Sequence, residues 1–248
     1  MAGSQTVIEV RQLFDLAEFE EVLRLQQAIW GYPDIELLPL RFLVVVSNVG
    51  GHVFGAYDGD MMVGFCFAIP GIKAGGQPYL HSHMLGVVPA YRDAHVGRSL
   101  KLKQREEALG RGIQLIEWTF DPMELKNAFF NIERLGAIVR RYHENQYGIT
   151  FSPLHGGLPT DRCYAEWWIA SPKVEAALAG NVPAPQPSGC AVSYPADIAR
   201  IRTEDPRRAR QIQRENGEKL SHAFKQGLAA TRFLRGETES SYLLEPWK

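Results

Sequence analysis

The chain has 248 residues, a formal net charge of −1 and a pI near 6.7, with 45% of its residues hydrophobic. That is enough apolar material to bury a full core, and the near-neutral balance excludes a global basic field for nucleic acid. Cys66, Cys163 and Cys190 lie far apart, odd in number and without a C-x-x-C pair, which fits a reducing cytosol and gives no disulfide or thiolate-metal framework. The first residues lack the basic-then-apolar layout of a signal peptide. No apolar run approaches the roughly 20 residues that span a bilayer. The expectation is a cytoplasmic globular protein with neither a membrane nor a nucleic-acid partner.

In chain order, residues 7–13 alternate as a strand. Asp15 caps a helix over 16–29, with Phe19, Val22, Leu23 and Gln26 at helical spacing, and Gly31-Tyr32-Pro33 stops it. A second helix is expected over 39–49. Two strands, 52–57 and 61–69, are joined by the turn signal Asp58-Gly59-Asp60. Residues 78–88 form another strand, 97–110 a helix, 115–120 a strand, 124–145 a long helix and 163–170 a further strand. Beyond Ser171 a proline-rich stretch over 182–189 leads to a charged helix over 205–227. A final hairpin follows, with arms at 230–235 and 240–244.

One stretch states a chemistry. Val-x-Pro-x-x-Arg-x-x-x-Val-Gly-x-x-Leu, from Val87 to Leu100, runs from a strand through a short turn into a helix. Backbone N–H groups at such a turn bind phosphate with the helix macrodipole behind them. The pattern resembles the pyrophosphate loop of the GNAT acyl-CoA N-acyltransferases. There Arg or Gln is followed after two residues by Gly, one further residue, and Gly or Ala. Arg92 fills the first position and Gly97 the last, and His95 replaces the first glycine.

The resemblance covers residues 7–170 and implies an α+β fold, a central mixed, mostly antiparallel twisted sheet flanked by helices. Residues 171–248 are expected as a C-terminal helix-plus-hairpin extension packed on that core. The resemblance also implies acetyl-CoA or another acyl-CoA as co-substrate, held by Leu85 and Val87 on the strand and by Arg92, Ala94, His95, Val96, Gly97, Arg98 and Ser99 on the loop. Trp118-Thr-Phe-Asp-Pro122 with Asn127 and Asn131 resembles the second motif of the family, whose helix completes the groove. The two asparagines, four apart, are expected on one helix face, with helix capping as the other reading for Asn127.

The reaction needs a base for the amine and an acid for the departing thiolate. The family's catalytic glutamate often stands about eleven residues before the loop, and that position here is His81. His83 has the same strand parity, so both imidazoles are expected to face one cleft beside Leu85. Simple hydrogen bonding is the alternative for this pair, and two histidines without a carboxylate or thiol cluster give no metal site. Glu117, an acid within an apolar strand, is the second candidate base; an outward-facing residue is its other reading. The tyrosine that often serves as acid falls at Ile132, which leaves Tyr142, Tyr147 or water. Arg162 beside Asp161 is a candidate for a substrate carboxylate, or a structural ion pair. The expected function is transfer of an acetyl or other short acyl group to the amine of a small molecule, an amino acid among the candidates, by a monomer or homodimer. A catalytically inactive CoA-binding module is the alternative. Arg207, Arg208, Arg210 and Arg214 form only a local basic patch.

Overall fold

Asp15 opens the first helix through a reciprocal cap. Its carboxylate accepts the Glu18 N–H at 2.9 Å, and the Glu18 carboxylate accepts the Asp15 N–H at 3.3 Å. In the computed structural model this helix, α1 (Leu16–Trp30), follows strand β1 (Ile8–Gln12) and ends at Gly31, whose φ of 65° suits glycine. The structure describes residues 7–92, 94–148, 157–182 and 190–247, and the chain divides into two compact units between Ile116 and Glu117.

The first unit continues with α2 (Leu40–Asn48), β2 (His52–Asp58), β3 (Met61–Ile72), β4 (Pro78–Val87) and α3 (Val96–Gly110). Strands β1 to β4 form an antiparallel meander in sequence order. One sheet face packs Phe65 and Phe67 against Phe19, Val22, Leu25, Leu43 and Val46 of α1 and α2. The other packs Phe54, Val63 and Cys66 against Val96 and Leu100 of α3. Both faces are covered, so β2 and β3 are apolar almost throughout rather than alternating.

Strand β5 (Leu115–Phe120) carries the chain into the second unit. There follow α4 (Leu125–Phe129), a π-helical turn Phe130–Arg134, β6 (Ile138–His143), β7 (Arg162–Trp168), α5 (Pro172–Leu178), β8 (Cys190–Pro195), α6 (Ile198–Glu204), α7 (Pro206–Lys225), β9 (Leu228–Arg235) and β10 (Glu239–Pro246). The strands run in the order β5-β7-β6-β9-β10-β8, with antiparallel pairing from β7 outward to β8. The whole is the expected α+β architecture, with a mostly antiparallel sheet flanked by helices.

Two local expectations are corrected. The helix over 124–145 ends at Arg134, and Ile138–His143 is a strand. Gly136 breaks it with a φ of 77°, and a Cβ there would stand 2.9 Å from the Val174 backbone of α5, so the chain turns where only glycine fits. The extension also holds more than a helix and hairpin. It adds α5, α6 and a third strand, β8, whose register on β10 pairs Val192 with Tyr242. Residue 182 apart, the proline-rich stretch lies outside the described residues.

Candidate functional site

The turn after β4 is a 3-10 turn, Pro89–Tyr91, followed by Arg92 and Ala94, and His95 then caps α3. His95 has φ 59° and ψ 10°, the left-handed conformation that glycine takes most easily. The family's glycine position therefore keeps a glycine-like backbone under a histidine, one of the residues that tolerates it best. The His95 side chain caps none of the helix amides, and no acidic residue stands in the first turn of α3. Val96 and Gly97, as its first residues, have no acceptor one turn back within the helix. A Cβ on Gly97 would meet Leu85 Cδ2 at 3.5 Å and Val87 Cγ2 at 3.9 Å, so the structure brings Leu85, Val87 and Gly97 together. Arg92 is exposed and reaches the Val87 carbonyl through Nε at 3.5 Å, while Arg98 and Ser99 are half-buried. Among the described residues the first turn of α3 carries no acidic side chain, and the helix dipole makes this end positive. It fits the pyrophosphate of an acyl-CoA.

Strand β4 carries the histidines, and it is not regular. Its register on β3 shifts between Phe67↔Met84 and Ala68↔Ser82, leaving His83 as the extra residue of a bulge. The His81 and His83 rings lie 5.9 Å apart, and His83 lies 5.3 Å from Phe67 on the face covered by α1 and α2. Leu85 packs on the opposite, α3 face. The parity that pairs both imidazoles with Leu85 is broken by the bulge. His83 is exposed as a residue, while desolvation by the surrounding protein holds its pKa below the ordinary histidine value.

Ser82, between the two histidines, anchors a polar chain that sequence reading missed. Its hydroxyl accepts from buried Lys101 Nζ at 2.8 Å and donates to Gln104 Oε1 at 2.9 Å. Gln104 Nε2 lies 3.1 Å from His52 Nε2, and His52 Nδ1 lies 2.9 Å from Glu107 Oε2. Glu107 pairs with Arg111. Burial pushes the Lys101 ammonium down to about 7. The available signal was that Lys101 and Gln104 fall on the buried stripe of α3, with Val96, Leu100 and Ala108.

In the second unit Glu117 is 2% exposed, and its carboxylate takes Arg141 Nη2 at 2.6 Å. Buried Glu166 takes Arg140 Nε at 2.9 Å and Arg141 Nε at 3.4 Å. The two asparagines differ: Asn127 is exposed, while Asn131, in the π-turn, is 2% exposed. The change from α to π winding between them separates their surroundings. Asn131 Nδ2 is buried with no hydrogen-bond partner among the described residues. Ile132 is buried, Tyr142 donates to Asp161 and is held well above the ordinary tyrosine range by burial and by that carboxylate, and Tyr147 Oη lies 3.0 Å from Thr119 Oγ1. Arg162 is half-buried, 5.4 Å from the Tyr147 ring, while Asp161 also accepts the Asn145 N–H at 2.9 Å. The Asp121-Pro122 turn is held by the extension. Arg202 of α6 reaches Asp121, and Tyr242 of β10 donates to the Pro122 carbonyl at 2.8 Å. Among the described residues no three His, Cys, Asp or Glu side chains are placed to hold a metal ion, and no helix is long and apolar enough to cross a membrane.

The chain is similar in structure to a GNAT-family protein from Desulfovibrio desulfuricans, with 16% identity, 66% of this chain and 100% of that one covered, and a TM-score of 0.54. It is similar to yncA from Salmonella typhimurium, solved with its cofactor acetyl-CoA, at 17% identity, 66% and 97% coverage and a TM-score of 0.53. It is also similar to the ribosomal-protein-S18-alanine N-acetyltransferase of Escherichia coli, at 17% identity, 66% and 96% coverage and a TM-score of 0.50. No protein-family model and no curated protein matches the sequence. The chain has the fold of the GNAT acetyltransferases.

Proposed function

We propose that the protein is an acyl-CoA-dependent N-acyltransferase that moves an acetyl or other short acyl group to the amine of a small molecule, an amino acid among the candidates. We read residues 7–170 as the acyltransferase core, with 171–248 as an extension that braces it. The observation that carries this reading is the start of α3, where His95 keeps the left-handed backbone of the family's glycine and, among the described residues, no acidic side chain stands in the first turn of the helix. The co-substrate supplies a thioester carbonyl as the acyl donor.

The Val96 and Gly97 amides orient the pyrophosphate, and Arg92 and Arg98 add charge beside it. His81 takes the proton from the incoming ammonium, with His83 beside it at the β4 bulge. Neutral imidazole is the form that can accept that proton, and the lowered pKa of His83 favours it. Glu117 is the weaker base, because its carboxylate is already committed to Arg141. The buried donor at Asn131 supports a role in holding the pantetheine arm. Neither Cys66 nor Cys163 serves as a covalent nucleophile in this scheme: both are fully buried, and burial pushes the Cys66 thiol up to about 12. Transfer is therefore direct, within a ternary complex.

A second reading, a CoA-binding module without turnover, is favoured by Ile132 at the place of the family's tyrosine. Thiol release from acetyl-CoA and succinyl-CoA, measured across a panel of amines and amino acids, separates the two. Turnover establishes the enzyme. Calorimetric CoA affinity without thiol release on any amine establishes the binding module.

A further inference from the structure

A groove of 1080 Å³ lies wholly within the second unit, between one face of α7 and the paired strands β6 and β7. Arg210, Arg214 and Lys225 enter it from α7 at spacings of four and eleven residues, which places them along one side of the helix. Arg140 and Arg141 enter from β6. Against these five cations the lining has three carboxylates, Glu144, Asp161 and Glu218. Asp161 is already an acceptor for Tyr142 and the Asn145 amide.

The two β6 guanidiniums are fixed in place. Glu166 grips Arg140 through Nε and Nη2, and Glu117 and Glu166 grip Arg141 through Nη2 and Nε. The Arg141 guanidinium also lies 4.3 Å from the centre of the Tyr164 ring. Both carboxylates are buried and neither lines the groove, so they stand behind the arginines. Each arginine side chain remains 42% exposed, and Nη1 of each is not used by these contacts. Across the groove Arg214 and Lys225 have no carboxylate partner among the described residues. A guanidinium braced from behind by a buried carboxylate loses little entropy on binding an oxyanion, and paired cations on two facing walls suit a ligand with more than one charge.

We propose that this groove binds a multiply charged anion through carboxylate or phosphate groups, with Arg140 and Arg141 as the rigid wall and Arg214 and Lys225 as the opposing one. The inference does not depend on the acyltransferase reading, since it uses neither the α3 loop nor the β4 histidines.

The test is calorimetry on the full chain with two probes, citrate for carboxylates and inorganic tripolyphosphate for phosphates. Each is titrated at low and high salt into the wild type, the double variant R214Q/K225Q and Gly97→Glu. Both changes in the double variant are at the groove surface, and unchanged circular dichroism checks its fold. The expected result is saturable binding of at least one probe, weakened at least tenfold in R214Q/K225Q and kept in Gly97→Glu. The probe that binds identifies the oxyanion class. Binding lost in Gly97→Glu but kept in R214Q/K225Q puts the anion at the α3 loop and overturns the proposal. Absence of binding by both probes to the wild type overturns it equally.

Discussion

Arg202 of α6 donates through Nη2 to Asp121 Oδ2 at 3.0 Å, and the two side chains are only 7% and 9% exposed. The same guanidinium reaches Glu124 Oε1 at 2.8 Å, and Asp121 also accepts the Met123 N–H at 2.8 Å. The extension thereby fixes the turn that ends β5, the segment carrying Trp118 and Asp121-Pro122. Arg202→Ala leaves a buried carboxylate without its cation, and the expected loss is about 3–5 kcal/mol of stability. Urea denaturation of the variant measures it, and a loss under about 1 kcal/mol would mean the pair is not what braces the turn.

Lys101 makes stability depend on pH. Its folded pKa of about 7 lies below the ordinary 10.5, so between these values the unfolded chain binds more protons than the folded one. Stability from this group therefore rises with pH across that window, by at most about 1.4 kcal/mol per pH unit. Thermal or urea unfolding from pH 7 to 10 reads the slope. Lys101→Met is expected to flatten it, and an identical slope in the variant would refute the assignment.

At the α3 loop, Gly97→Glu places an anion against the pyrophosphate position and is expected to abolish CoA binding while the fold remains. His95→Gly relieves a left-handed conformation that costs an L residue about 1 kcal/mol, so it is expected to keep CoA affinity without loss of melting temperature. His95→Val is expected to lower that temperature. Calorimetry and melting curves check all three, and CoA affinity unchanged in Gly97→Glu would show that the loop is not the phosphate site.

Asn131 separates ligand binding from stability. Its buried Nδ2 has no partner among the described residues, so Asn131→Leu removes an uncompensated polar group and is expected not to destabilise the ligand-free chain. If Asn131 holds the pantetheine arm, CoA affinity falls by about 1–3 kcal/mol. Unchanged affinity with a lower melting temperature would mark it as structural.

The base is read from the pH dependence of kcat/KM. His81→Ala is expected to cost about 10²–10⁴ in rate and to remove the rising limb. A limb below the ordinary histidine value that survives in His81→Ala and vanishes in His83→Ala would transfer the role to His83. Loss confined to Glu117→Gln would transfer it to the carboxylate.

The sequence by itself determined the order of helices and strands through β5, the helix cap at Asp15, the hairpin turn at Gly59 and the strand-turn-helix order that leads into α3. These are local: a cap, a turn or a glycine-dependent backbone is decided by residues within a few positions of one another. It misplaced β6, because the strand residues Ile138–His143 follow a short helix closely and the helical reading ran on through Gly136, where the packing of α5 leaves room only for glycine. It also missed the bulge at His83, which is a property of the β3–β4 pairing and inverts the face argument beyond it. Lys101 with Ser82, Glu117 with Arg141, and the cations of α7 facing β6 are partnerships across long stretches of chain. Composition and periodicity mark each residue as polar or charged, but burial supplies its partner and fixes its chemistry. Only the tertiary structure decides which charges meet, because that depends on which strands pair and in what register.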